Sequence, residues 1–169
     1  MKIKKINRMV VKIGSSLLID KDKGVNNNFL NNISEDIVSL KKRDIETLIV
    51  SSGAIELGKI ELNKTKEKFN LSESQAASSI GQIKLINAWK DSLGKFDLNA
   101  AQILITAEDT ENRKRFLNAR STIEELMREK YIPIINENDT VATSEIRYGD
   151  NDRLAARIAG MVAADCLIL

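Results

Sequence analysis

With 169 residues, 43% of them hydrophobic, the chain is sized for one globular domain with a substantial core. Its 26 Lys and Arg against 24 Asp and Glu leave a net charge of +2, which provides no polyanion-binding footprint and calls for no nucleic acid partner. There is no histidine and one cysteine, which excludes His-based metal sites, the commonest general base at neutral pH and an intrachain disulfide, so any chemistry falls to Lys, Asp, Ser, Asn and backbone groups.

The first nineteen residues carry lysines followed by Val10-Val11 and Leu17-Leu18-Ile19, superficially like a signal peptide. Lys12 interrupts the apolar stretch and no small-residue cleavage site follows, so a cytoplasmic protein without a membrane partner is expected. Met9 to Ile13 reads as a strand, and Phe29, Leu30, Ile33, Ile37 and Leu40 recur at the spacing of an amphipathic helix. Thr47 to Val50 is a buried strand, and Ala54 to Ile60 a helix opening directly from Ser-Ser-Gly. This βαβ alternation implies a parallel sheet.

The polar stretch from Asn63 to Asn70 reads as an exposed connection, and Ser72 with Gln75 has the form of a capping box for a helix that Gly94 ends. Ala101 to Ile105 is expected as a third core strand. The charged stretch from Asn112 to Lys130 is expected as a helix with Phe116, Leu117, Ile123 and Leu126 inward. Pro133 within Ile132 to Ile135 argues for an edge position or a strand start. A helix from Arg153 to Ala163 and the apolar run Leu167 to Leu169 complete the order, with Cys166 expected as a small buried hydrophobe. Because the chain stops inside that run, it reads as a truncated chain or partial record of a larger domain.

Four polar loops stand beside these strands. Lys12-Ile13-Gly14-Ser15-Ser16 joins a positive charge to a glycine whose backbone can approach phosphate oxygens, although an ordinary turn has the same composition. Ser51-Ser52-Gly53-Ala54 places small residues where a strand becomes a helix, suited either to an anion at the helix amides or to simple capping. Asn136-Glu137-Asn138-Asp139 sets polar groups at a strand's carboxyl end, where its carboxylates could hold a substrate ammonium group; a solvated turn is the plainer reading. Gly149-Asp150-Asn151-Asp152 precedes a helical run, and one of its three polar residues can serve as the N-cap. The others could recognise a polar substrate, orient a lysine or hold Mg2+. In an open parallel sheet, loops at the carboxyl ends of neighbouring strands share one crevice, and ligands bind there. The small residues of Gln75 to Gln82 read as a surface for close helix packing.

Taken in order, these loops, Gln75 to Gln82 and Arg115-Phe116-Leu117-Asn118-Ala119-Arg120 resemble the motifs of the amino acid kinase family, over essentially the whole chain. The resemblance implies a three-layer α/β/α sandwich with a mainly parallel sheet, the carbamate kinase-like fold, with the carboxyl-terminal part missing. It is nearest to the members that use ATP and Mg2+ to phosphorylate the side-chain carboxylate of L-glutamate, the first step of proline synthesis. Aspartate, acetylglutamate, carbamate or uridylate kinases, or a non-catalytic amino acid sensor, are the alternatives.

By carry-over from the family, Lys12 is implied to stabilise the transferring phosphoryl group, with Gly14 and Ser15 at the phosphates. Ser52, Asp139 and Asn151 are implied to bind glutamate, and Asp152 to organise the catalytic lysines. Gly53, Asn136 and Asp150 support the site, and no residue is assigned as a metal ligand. The resemblance further implies a homo-oligomer, dimer or tetramer, with proline as feedback inhibitor. Residues 1–169 would be the glutamate-binding portion of the kinase domain. The nucleotide-binding portion would lie beyond Leu169, leaving the 169-residue chain inactive or nearly so.

Overall fold

The computed structural model describes residues 5–20, 24–142 and 150–169, and of Asp150 the backbone only. Strand β1 (Arg8–Ile13) passes through a single turn, α1 (Ser15–Leu18), into a small antiparallel ribbon of β2 (Ile19–Asp20) and β3 (Gly24–Val25). Helix α2 (Asn27–Lys41) then leads to β4 (Glu46–Ser51), α3 (Ala54–Glu61), α4 (Leu71–Gly94) and β5 (Asn99–Ile105). The remaining elements are α5 (Ala107–Glu111), α6 (Arg113–Arg128), β6 (Tyr131–Glu137), α7 (Asp150–Met161) and β7 (Cys166–Ile168).

Five strands form one sheet in the order β5-β6-β4-β1-β7, and every pairing is parallel. Pairing of Ile13 with Ser51, and of Ile105 with Glu137, brings the carboxyl ends of β1, β4, β5 and β6 to one edge. The chain moves outward from β1 to β4 and β5, returns for β6, then crosses to the far side of β1 for β7. That reversal of order beside β1 opens a crevice at the carboxyl edge, the usual ligand position in such sheets.

The period-2 alternation of the strands sorts the core into two layers. Met9, Val11, Ile13, Ile49, Ile132 and Ile134 pack with Leu30, Ile37, Leu57, Leu85, Trp89 and Leu93 of α2, α3 and α4. Val10, Leu48, Val50 and Ile135 face the other way, against Ile123 of α6 and Leu154, Ala155 and Ile158 of α7. The three-layer α/β/α arrangement expected above is therefore present.

Several local expectations are corrected. The capping box of α4 is formed by Asn70 and Glu73, not Ser72 and Gln75: Glu73 N donates to Asn70 Oδ1 and Asn70 N to Glu73 Oε2, which starts the helix two residues earlier. Gly94 is the last helical residue, and the left-handed turn residue that follows is Asp97, with φ 57°. β5 is an edge strand, with Leu104 exposed and Ile105 its one buried residue, whereas the Pro133 strand β6 is interior. Pro133 precedes the ladder with β4, which begins at Ile134, so its missing N–H falls outside that ladder.

On α6 the inward residues are Phe116, Ala119, Ile123 and Met127, and Leu117 is about half exposed. A five-residue helix, α5, fills the stretch before it and was not foreseen; Thr106 and Asp109 form its capping box. α7 begins at Asp150, three residues before the expected start, so Asn151 and Asp152 lie in its first turn and are not loop residues. Gly149 and the Asp150 side chain lie outside the described residues, as do Met1 to Lys4 of the signal-like start. Cys166 is partly buried against the first core layer.

Candidate active site

Strand alternation decides which helix each polar residue meets. Lys12 lies between Val11 and Ile13, whose side chains face α4, so its own side chain shares the α7 side of the sheet with Val10. There its Nζ pairs with Asp152 Oδ1 at 2.7 Å, joining the β1 end to the first turn of α7. The Lys12 side chain is 18% exposed and that of Asp152 49%. An ammonium group has three donors, so Lys12 can keep Asp152 and still bind a phosphoryl oxygen.

Beside this pair, Gly14 has an ordinary φ of −75°, so backbone geometry does not require glycine. A Cβ there would lie 3.6 Å from Lys12 Nζ, filling space next to the ammonium that an anion could use. Ser15 opens α1 and is the neighbour of Gly53, whose added Cβ would lie 3.6 Å from Ser15 Cβ and 2.6 Å from Ile19 Cδ1. Gly53 needs its glycine because its φ of +110° lies where L side chains are strained.

On the opposite face, Asn136 follows Ile135 and therefore points with Ile134 toward α4. Its Nδ2 donates to Gln82 Oε1 at 2.8 Å, and its Oδ1 accepts from Glu137 N at 2.9 Å. Asn151 Nδ2 reaches across from α7 to donate to Ser52 Oγ at 2.7 Å and to Asn136 Oδ1 at 3.2 Å. Asp139 is 8% exposed and accepts from Ser78 Oγ at 2.8 Å. Beneath them, Trp89 Nε1 donates to the fully buried Ser51 Oγ at 3.0 Å.

Asn151 Oδ1 is buried and has no hydrogen-bond partner among the described residues. A buried acceptor left unanswered costs about 1–3 kcal/mol, so this oxygen marks where a ligand donor is wanted.

Thus the structure brings Lys12, Gly14 and Asp152 to one end of the crevice, and joins Ser52, Asn136 and Asn151 in one hydrogen-bond chain. Asp139 is held from α4. The fourth polar loop belongs to a helix start, so three strand ends and one helix N-terminus build the site.

Sequence reasoning overlooked Ser78 and Gln82. Gln75 to Gln82 does pack closely: a Cβ on Gly58 would fall 1.8 Å from Ala77 O, and one on Gly81 1.8 Å from Ala54 O. Ser78 and Gln82, however, share the inward helical spacing of Leu85, Trp89 and Leu93 and end on the site. Polar residues at inward positions were the available signal. Gln75 Nε2 also donates to Ala142 O at 3.0 Å, beyond the β6 loop.

Residues 7–169 match the model of the amino acid kinase family. The chain belongs to that family. It is 54% identical over 167 residues to a glutamate 5-kinase 1 of Mesorhizobium japonicum and 55% identical over 168 residues to a glutamate 5-kinase of Brucella ovis. Each match covers 99% of this amino acid kinase chain and 44% of the relative, so the chain spans under half the length of these curated relatives. Among solved structures, the UMP kinase of Ureaplasma parvum superposes with a TM-score of 0.63 at 15% identity, over 97% of this chain and 68% of that one. That likeness concerns the fold alone.

Proposed function

We propose that this chain is the glutamate-binding portion of a glutamate 5-kinase, which transfers the γ-phosphoryl group of ATP to the side-chain carboxylate of L-glutamate. The supporting observation is the convergence, at the carboxyl edge of the sheet, of the Lys12–Asp152 pair with the Ser52–Asn151–Asn136 chain and its unanswered Asn151 Oδ1. Over 99% of its length the chain is also similar to relatives named for that activity.

A substrate carboxylate with a pKa near ~4.3 is ionised at neutral pH, so the nucleophile needs no general base and the absence of histidine is no obstacle. A carboxylate oxygen attacks the γ-phosphorus as the bond to the bridging oxygen of ADP breaks, giving L-glutamyl 5-phosphate and ADP. Alignment and charge neutralisation carry such a step. Lys12 would meet the negative charge of the moving phosphoryl group, with Gly14 and Ser15 leaving backbone room for its oxygens. Asp152 would hold Lys12 in place. Ser52 and Asn151 would fix glutamate, and Asp139 would hold its α-ammonium group, supported by Asn136 and Gly53. Asp150 belongs to the same proposal by motif alone.

Among the described residues no three acidic or cysteine side chains gather as a metal-ligand group. Mg2+ would arrive on the ATP phosphates. No helix among the described residues is long and apolar enough to cross a membrane. Cytoplasmic location, assembly as a dimer or tetramer, inhibition by proline and a role at the entry to proline synthesis complete the proposal.

The test is ATP-dependent acyl hydroxamate formation by the full-length protein with L-glutamate, L-aspartate, N-acetylglutamate and carbamate. L-Glutamate is expected to be the preferred acceptor. Preference for another acid, or amino acid binding without turnover, would overturn the assignment.

A further inference from the structure

The amide orientations in the crevice can be deduced from one backbone donor. Glu137 N–H can only donate, so the atom of Asn136 facing it at 2.9 Å is the oxygen. That oxygen also receives Asn151 at 3.2 Å, so the Asn151 atom turned toward it is the nitrogen, which donates to Ser52 Oγ as well. The nitrogen of Asn136 is left facing Gln82, whose facing atom must then be an acceptor, Oε1, at 2.8 Å. Every link agrees with its neighbours, and two consequences follow. Asn151 Oδ1 is left as a buried acceptor awaiting a donor, and Ser52 Oγ, already accepting from Asn151, has its proton available to an acceptor.

We propose that Gln82 is a positioning residue that locks this donor–acceptor polarity in place. Glu137 N–H selects the orientation of Asn136, and Gln82, by accepting from Asn136 Nδ2, holds the side chain there; Asn136 in turn keeps Asn151 with its nitrogen on Ser52 and its oxygen reserved for an N–H donor of the ligand. Resting on the glutamate reading above, that donor is the substrate α-ammonium group, and the Ser52 hydroxyl donates to a substrate carboxylate. Gln82 sits on α4, four residues after Ser78, so one helix face supports both Asp139 and the amide chain. Sites whose polar groups are matched to a ligand N–H discriminate strongly against analogues without it, because the acceptor is then left unpaired. Discrimination between L-glutamate and glutarate, which lacks the ammonium group, is therefore the property Gln82 controls.

The experiment compares wild type, Gln82→Met and Gln82→Glu in the full-length enzyme. Methionine keeps the length and removes the acceptor; glutamate keeps an acceptor opposite Asn136 Nδ2. Gln82→Met is expected to reduce the kcat/KM preference for L-glutamate over glutarate by about tenfold through KM for L-glutamate, with kcat little changed, and Gln82→Glu to restore most of it. Equal loss in both variants, an unchanged preference in Gln82→Met, or a parallel fall with both acids would overturn the role.

Side-chain amide NMR reads the relay without turnover. The Asn151 Nδ2 protons should exchange slowly in wild type and Gln82→Glu and faster in Gln82→Met. Unaltered protection in Gln82→Met would overturn the relay. A wild type that shows the protection pattern yet phosphorylates neither acid would count against the kinase reading alone.

Discussion

The two ends of the crevice are built from different materials. At one end Lys12 and Asp152 form an ion pair whose carboxylate is half open to solvent. At the other, Asn136 is 3% exposed, Asp139 8% and Ser78 2%, and most of the groups are neutral and linked by hydrogen bonds. The contrast is physical. On the proposed reading, a lysine that meets a mobile, highly charged phosphoryl group needs only a light tether, because its task is charge compensation. Groups that recognise a particular amino acid gain selectivity from burial, where an unmatched donor or acceptor is costly. On the proposed reading, the buried Asn136, Asp139 and Ser78 mark a recognition end and the half-open Asp152 a chemical end.

That separation can be broken by substitution. Lys12→Ala should lower kcat by about a hundred- to a thousandfold while leaving the glutamate KM within about threefold, measured by steady-state kinetics. Asp139→Ala removes a buried carboxylate at the recognition end. It should raise the glutamate KM by about thirtyfold or more with a smaller effect on kcat, and an unchanged KM would remove Asp139 from the site.

The scaffold under the recognition end is next in magnitude. Gly81→Ala would drive a Cβ into Ala54 O and separate α3 from α4, the helix carrying Ser78 and Gln82. Denaturant unfolding should show a loss of about 1–3 kcal/mol.

The smallest effect belongs to the chemical end, through the brace of α7. Arg157 on α7 donates to Ala107 O at 3.2 Å and Thr110 Oγ1 at 2.5 Å, and pairs with Glu111 at 2.8 Å, all on α5. Asp109 caps α5. Partial burial acts to raise its pKa, but hydrogen bonds from Thr106 N and Oγ1, with the Arg115 charge, outweigh it and hold the carboxyl below its ordinary value. A depressed folded pKa gives stability that is complete above the unfolded value of about 3.9 and lost as pH falls through the folded one. The Tm difference between wild type and Asp109→Ala should accordingly be constant near neutrality and shrink below about pH 4.

Much of the fold was legible in the sequence because it rests on local signals. The Val- and Ile-bearing strands, the α2 periodicity and the strand-to-helix junction at Ser52-Gly53 each carry their own pattern. Strand order was not legible. An apolar run such as Ile103-Leu104-Ile105 looks alike at an edge and in the centre, and only pairing with β6 on one side exposes Leu104. Among the sequence-derived candidates, those beside strand ends now lie in one crevice, since parallel pairing brings those ends together.

Ser78 and Gln82 escaped notice because composition marked their helix as a packing surface. Their contacts with Asp139 and Asn136 depend on which face meets β6, a property of the tertiary fold. The Lys12–Asp152 pair spans most of the chain; only the family resemblance suggested it, and its geometry follows from α7 starting at Asp150.

The most direct test of the division between the two ends is a double-mutant cycle of Lys12→Ala and Asp139→Ala on kcat/KM for L-glutamate in the full-length enzyme. Independent ends predict additive losses, with a coupling within about 0.5 kcal/mol and the kcat and KM effects of the single variants both retained in the double. A coupling of several-fold that size, or a double variant no worse than Lys12→Ala alone, would contradict the account.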